Sequence, residues 1–149
     1  MKPHWMRLRR DDRGAALLEM AFALPMLLLI SIGILEFGRA FQTWQILTNA
    51  AREGARVAVL AGMDDSMVTA RVQEYVQAGV LDPSATTSVT IQRDVAISYG
   101  TGTATGSKVI VSYPFKFMVL NGVAKLVASG TTLGSDFTMA ASATMRNEN

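Results

Sequence analysis

Residues 15–35 read AALLEMAFALPMLLLISIGIL, and only Glu19, Pro25, Ser31 and Gly33 in this run of 21 fall outside the aliphatic and aromatic set. Coiled as an α-helix, the run is about 30 Å long, which matches the hydrocarbon thickness of a bilayer. Its flanks are unequal. Lys2, Arg7, Arg9, Arg10 and Arg13 precede it, against Asp11 and Asp12, whereas only Arg39 and Arg52 follow it closely. By the positive-inside rule the N-terminus stays in the cytoplasm and the rest of the chain crosses. Trp5 and Trp44 flank the run as interfacial anchors would. The reading that competes with a membrane span is an unusually apolar buried helix.

Composition agrees with an anchor joined to one domain. The chain has 149 residues, half of them hydrophobic and 17% charged, with a mean hydropathy of +0.25. That length supports one ordinary domain, and the apolar content is too high for a disordered chain. The 0 cysteines exclude a disulfide framework, a thiolate metal site and a cysteine nucleophile. His4, the single histidine, leaves no material for a histidine-based centre, so no cofactor is expected. The net charge of +2 is concentrated: residues 1–14 carry +3, so the other 135 carry −1. A nucleic-acid binder needs a basic stripe on its folded part, and the scattered Lys108, Lys116 and Lys125 do not make one.

A cleavable secretory signal requires small residues after its apolar core. Here Glu36-Phe37-Gly38-Arg39-Ala40-Phe41-Gln42 follows, charged and bulky, and the Ala-x-Ala at Ala21–Ala23 falls near the start of the run. Signal-peptidase processing is therefore set aside. Glu19 is the conspicuous residue. A charge near the centre of a membrane helix costs about 2.5–3.5 kcal/mol on insertion scales, and less towards its end. Glu19 lies near enough to the start to reach the cytoplasmic headgroups; otherwise it awaits a positive partner on assembly.

Arg13-Gly14 followed by Ala15-Ala16-Leu17-Leu18-Glu19 resembles the processing motif of type IV prepilins. The resemblance implies cleavage between Gly14 and Ala15 by a prepilin peptidase, leaving Glu19 as the fifth residue of the mature chain. It also implies that Glu19 attracts the α-amino group of a neighbouring subunit during filament assembly. Gly14 to Pro25, Gly33-Ile-Leu-Glu-Phe-Gly-Arg39 and Asn49-Ala-Ala-Arg-Glu-Gly-Ala-Arg56 together are similar to TadE-like proteins, minor pilins or pseudopilins of the tight-adherence (Flp) machinery. Phe137 to Arg146 looks like that family's closing strand. Met20 stands where the major Flp pilin usually has tyrosine, and the chain is longer than such pilins, so a minor subunit is implied.

Beyond Leu35, Phe37, Ala40, Phe41, Trp44, Leu47, Ala51, Gly54, Ala55 and Ala58 recur with helical period. The helix is expected to continue over 36–61 and stop at Gly62, with Phe37, Phe41, Trp44, Leu47 and Ala51 packing against the following domain. Pro25 is expected to kink or locally loosen the membrane half. Asp64-Asp65-Ser66 reads as the cap of a second helix, with Val68, Val72, Tyr75 and Val76 on one face and an end by Gly79. Capping accounts for the two aspartates better than a metal does, since no further oxygen ligands recur nearby.

After Asp82-Pro83 the period changes to two, and Ser88–Gln92, Val95–Tyr99, Lys108–Tyr113 and Asp136–Met145 read as four strands. Residues 118–128 read as a short helix and Gly130–Ser135 as a loop. Gly100-Thr-Gly-Thr-Ala-Thr-Gly-Ser-Lys108 fails as a phosphate loop in its glycine spacing and in the order of Ser107 and Lys108, and reads as a flexible hairpin connection.

The expected architecture is α+β and pilin-like: a basic leader 1–14, a membrane helix 15–35 and an extracytoplasmic domain 36–149 with about four antiparallel strands. The resemblance implies a non-enzymatic structural subunit of a Flp-type pilus in the bacterial inner membrane, supporting adherence and biofilm formation. Its implied partners are the peptidase, the major Flp pilin, another minor pilin, the assembly platform and membrane lipid. Two rivals from other classes are an uncleaved, signal-anchored periplasmic binding module and a membrane-tethered enzyme, for which Asp82, Asp94 and Asp136 are too dispersed to nominate a centre.

Overall fold

The computed structural model describes residues 12–79, 81, 85–100, 102–122 and 137–147. His4, Trp5, Asp82-Pro83, residues 123–128 and the Gly130–Ser135 segment lie outside the described residues. The elements are α1 (Asp12–Ala58), α2 (Asp65–Ala78), β1 (Ser88–Tyr99), β2 (Gly102–Phe115) and β3 (Phe137–Arg146). The chain divides into two compact units between Leu35 and Glu36.

In the first unit, α1 runs uninterrupted through Pro25. A proline there has no N–H to give the carbonyl of Ala21, one turn back, yet the helix continues. Farther along, the Ser31 hydroxyl donates to the Leu27 carbonyl at 2.9 Å, satisfying its own polarity inside the apolar run.

The second unit builds its core where α1, α2 and one sheet face meet. Leu47, Ala50, Ala51, Ala55 and Ala58 of α1 pack with Val68, Val72 and Val76 of α2 and with Val109, Val111, Tyr113, Phe115, Met139 and Ala141 of the sheet. Small residues on α1 let the layers approach closely. A Cβ on Gly54 would lie 2.5 Å from Val72 Cγ2 and 3.2 Å from Val109 Cγ1.

Helix α1 ends at Ala58, three residues before the expected Ala61. Arg93 supplies the reason. Its guanidinium donates to the carbonyls of Ala58 at 3.1 Å and Met63 at 2.9 Å and reaches Asp65 at 2.8 Å. The chain between them turns through Gly62, at φ 81°. Helix α2 starts as the sequence implies: Asp64 Oδ1 accepts from the Met67 N–H at 2.9 Å and from the Ser66 hydroxyl at 2.8 Å. These two bonds, the Met67 N–H foremost, hold the exposed Asp64 carboxyl below the usual carboxylate range. Val68, Val72 and Val76 are buried on α2, while Tyr75, expected beside them, is exposed. The Arg71 guanidinium joins the two helices by donating to Glu53 at 3.0 Å, and it also pairs with Glu74 at 2.9 Å.

The sheet has three strands in the order β1-β2-β3, all antiparallel, where about four were expected. The two segments Ser88–Gln92 and Val95–Tyr99 are one strand, β1, interrupted by a bulge at Arg93-Asp94. Asp94 takes φ 57°, the left-handed conformation that aspartate tolerates better than most residues. Across the bulge the pairing shifts from Gln92↔Lys108 to Val95↔Gly106. Val89 and Ile91 therefore share the core face with Val111 and Val109, whereas Val95 and Ile97 turn to the opposite face.

The supposed hairpin loop is also strand. Pairing continues to Tyr99↔Gly102, with Gly100 at φ 57°, so the segment from Gly102 to Lys108 belongs to β2. Threonines alternating along it suit a β conformation, and Gly106 lets the Met145 backbone close in on the other side. Residues 119–122 are helical, and β3 is described from Phe137, the expected Asp136 lying outside the described residues.

Candidate assembly surface along the N-terminal helix

Gly14, Ala15 and Glu19 lie in the first turns of α1, and all three are exposed. Ala15 and Glu19 are one turn apart and share a face. A protease that opens the Gly14–Ala15 bond must first unwind this end of the helix. Helix ends fray at low cost, because their first N–H groups have no intrahelical partner. A new amino group at Ala15 would stand at the positive pole of α1, four residues from a carboxylate. Glu19 would then be the one acid in the apolar run 15–35, available to an incoming cation.

Among the described residues, the large apolar side chains of the first unit are exposed. Leu17, Phe22, Met26, Ile34 and Leu35 are 68% exposed or more, and no part of the most apolar window of α1 is buried. Each such side chain left in water forgoes about 1.5–3 kcal/mol of burial. The apolar surface also encircles the helix rather than forming one stripe, which is the pattern of a membrane span or a bundle member. Among the described residues, α1 is the helix long and apolar enough to cross a membrane.

The expected packing set divides. Leu47 and Ala51 are fully buried in the core, while Phe37, Phe41 and Trp44 are 69%, 58% and 47% exposed. The helical stripe is therefore two stripes. Leu47, Ala51, Ala55 and Ala58 face the sheet, and Phe37, Phe41 and Trp44, at spacings of four and three, form an uncovered aromatic row. Phe41 and Trp44 touch, with ring centroids 6.1 Å apart. A shallow groove of about 190 Å³ lined by Trp44, Gln45, Thr48, Asn49 and Arg52 continues along that side.

A carboxylate that the motifs did not single out is the most enclosed charge among the described residues. Glu36 is 3% exposed. Its Oε1 accepts from the Val119 N–H at 2.7 Å, and its Oε2 accepts from Arg39 Nη1 at 3.0 Å. The Arg39 guanidinium lies over the Phe115 ring, 5.3 Å from its centroid, and Phe115 in turn meets Phe117 and Phe137 edge-on. The Glu36–Arg39 spacing is visible in the sequence as an i, i+3 pair, but its tie to Val119 crosses 83 residues. Among the described residues no group of three or more His, Cys, Asp or Glu side chains is arranged to hold a metal.

A family model described as TadE-like protein matches residues 14–56. The matched segment takes in Gly14, Ala15, Glu19, the apolar run and the aromatic row, and stops two residues short of the end of α1. α2 and the sheet lie outside it, including the Phe137–Arg146 strand. No curated protein and no solved structure gives a significant match to this chain. The TadE-like resemblance thus holds for the N-terminal helix.

Proposed function

We propose that this chain is a structural minor pilin, or pseudopilin, of a Tad-type pilus. It is inserted in the bacterial inner membrane through α1 with its N-terminus in the cytoplasm and is cut by a prepilin peptidase after Gly14. The observation that carries the reading is the TadE-like segment itself: an exposed Gly14–Ala15 bond, an exposed Glu19 one turn on, and an apolar helix whose large side chains, among the described residues, are exposed. Each feature has a use in a filament. The naked helix enters a bundle of its kind, and the new Ala15 amino group and Glu19 of adjacent subunits set the stagger. Opposite charges in a low-dielectric bundle offset each other's desolvation, so subunits pair where those charges meet. The major Flp pilin, a second minor pilin and the assembly platform are the partners of such a subunit, and adherence and biofilm formation are its outcome.

The test is intact mass and N-terminal sequence after co-expression with and without a prepilin peptidase. A peptidase-dependent loss of about 1.8 kDa, with a chain beginning at Ala15, is the expected result. A chain that keeps its leader beside an active peptidase overturns the processing step and leaves a membrane-anchored module.

A further inference from the structure

The groove that continues past the aromatic row is lined by α1 residues of the second unit alone, and its lining is chemically uneven. Trp44, Thr48 and Arg52 follow one another at intervals of four, and Gln45 and Asn49 form the adjacent row, so these side chains share one face of the helix around about 190 Å³. One end is an aromatic plate. Trp44 is half-buried, and Phe41 braces it with ring centroids 6.1 Å apart. The other end is a cation without a counterion. Arg39, Arg56, Arg71 and Arg93 each hold an acid, whereas Arg52 has no ion pair among the described residues. Its neighbour Glu53 is taken by Arg71 at 3.0 Å and by Arg56 at 3.5 Å. Between plate and cation stand the exposed amides of Gln45 and Asn49, which have no hydrogen bond among the described residues. The Thr48 hydroxyl is spent on its own helix, donating to the Trp44 carbonyl at 2.8 Å.

We propose that this groove binds an acidic saccharide, with a sugar ring stacked on Trp44, its hydroxyls on the Gln45 and Asn49 amides and its carboxylate on Arg52. A pyranose has an apolar C–H face and a rim of hydroxyls, and the groove answers both. The negative face of an indole attracts the C–H hydrogens. A side-chain amide donates and accepts, as a hydroxyl does. A guanidinium holds a carboxylate through two parallel N–H bonds, and the unpaired charge of Arg52 selects an acidic sugar over a neutral one. The lining also favours a sugar over a protein helix. A docking helix asks for apolar anchors repeated along one face. Past Trp44 this face continues as a hydroxyl and a guanidinium with amides beside them. An aromatic wall with a few polar groups is the usual make-up of a small-molecule site, and the small volume suits a short saccharide.

The chain has 2 tryptophans, so Trp5→Phe leaves Trp44 as its single indole and makes the test direct. The full chain carrying Trp5→Phe is held in a polyoxyethylene detergent, which has no sugar headgroup, and Trp44 emission is followed during titration. The probes are trigalacturonate, the neutral maltotriose, and citrate as a trianion without a sugar ring. The expected result is a saturable shift of the emission with trigalacturonate alone. Arg52→Gln in the same background is expected to weaken that binding about tenfold or more, and Asn49→Ala to weaken it less. Both side chains are exposed, so the far-ultraviolet spectrum should not change. No saturable response to trigalacturonate overturns the proposal. An equal response to maltotriose removes the acid from it, and an equal response to citrate removes the sugar; either overturns it. Unchanged affinity in Arg52→Gln places the ligand elsewhere and overturns it as well. Trp44 emission that shifts with protein concentration in the absence of any probe, and does not respond to trigalacturonate, assigns the face to a second protein chain and overturns the saccharide.

Discussion

Gly54 shows how little tolerance a single position has where three elements converge. The site where its Cβ would sit is taken by Val72 Cγ2 at 2.5 Å, and valine is stiff at χ1, so the methyl cannot swing aside. Gly54→Ala would gain helix propensity of about 1 kcal/mol and lose more to overpacking, for a net destabilisation of about 1–2 kcal/mol. A lower thermal midpoint of the detergent-solubilised chain, with the far-ultraviolet spectrum unchanged, is the outcome that checks it. Asp64 is a residue whose contribution follows pH. Its carboxyl is depressed in the folded chain by the Met67 N–H and the Ser66 hydroxyl, so its stabilisation is complete above the unfolded value, about 4. It is lost as pH falls through the lower folded value. Asp64→Ala is expected to lower stability at neutral pH, and the difference from the parent should shrink as pH falls through the lowered folded value. Parallel melts of the two proteins across that range measure it.

Elements fail or hold through their junctions, and the bulge in β1 is the sharpest case. Arg93 points to the α1–α2 turn and binds two of its carbonyls, while Asp94 absorbs the extra residue at φ 57°. A β-branched residue at that φ is a genuine outlier, so Asp94→Val should destabilise by about 1–2 kcal/mol, whereas Asp94→Gly should be neutral or slightly stabilising. Urea unfolding of the three proteins separates backbone strain, which glycine relieves, from loss of the carboxylate, which both variants share. The same bulge explains why the sheet was only partly legible. Val89 and Ile91 alternate cleanly, as do Val95 and Ile97, and the polar Arg93-Asp94 between them has the look of a turn. Sequence period cannot distinguish a turn from a bulge, because both reset the alternation. The helices were easier: the apolar run, the Asp64 cap and the Gly79 stop are local signals, and they reappear at those places. Glu36 was not legible, since its partner Val119 is distant in the chain and contributes only a backbone N–H.

At the scale of the whole molecule, the chain joins a unit that packs its own core to one whose large apolar side chains, among the described residues, are exposed. The second unit buries Leu47, Val68, Val72, Val109 and Val111 completely, whereas the helix up to Leu35 buries none of its large apolar side chains. Their stabilities should therefore respond to different solvents, and Glu36 is the first residue of the second. Its carboxylate is 3% exposed and satisfies both the Val119 N–H and Arg39. Removing one partner of such a buried pair is costlier than the pair is worth, because the groups left behind lose their compensation. Glu36→Ala is expected to cost about 2–4 kcal/mol and to loosen residues 116–122 selectively, leaving the distant Asp64 cap and Arg93 clamp intact. Glu36→Gln keeps one acceptor oxygen for the Val119 N–H but replaces the oxygen that accepts from Arg39 with an NH2 donor, so only part of that loss should return. Hydrogen exchange on the detergent-solubilised chain reads this out. Faster exchange confined to residues 116–122 in Glu36→Ala, partly restored in Glu36→Gln, is the expected pattern. Uniform acceleration across α2 and the sheet would instead make Glu36 a general element of the core, and identical exchange in all three proteins would remove it from the stability of this region.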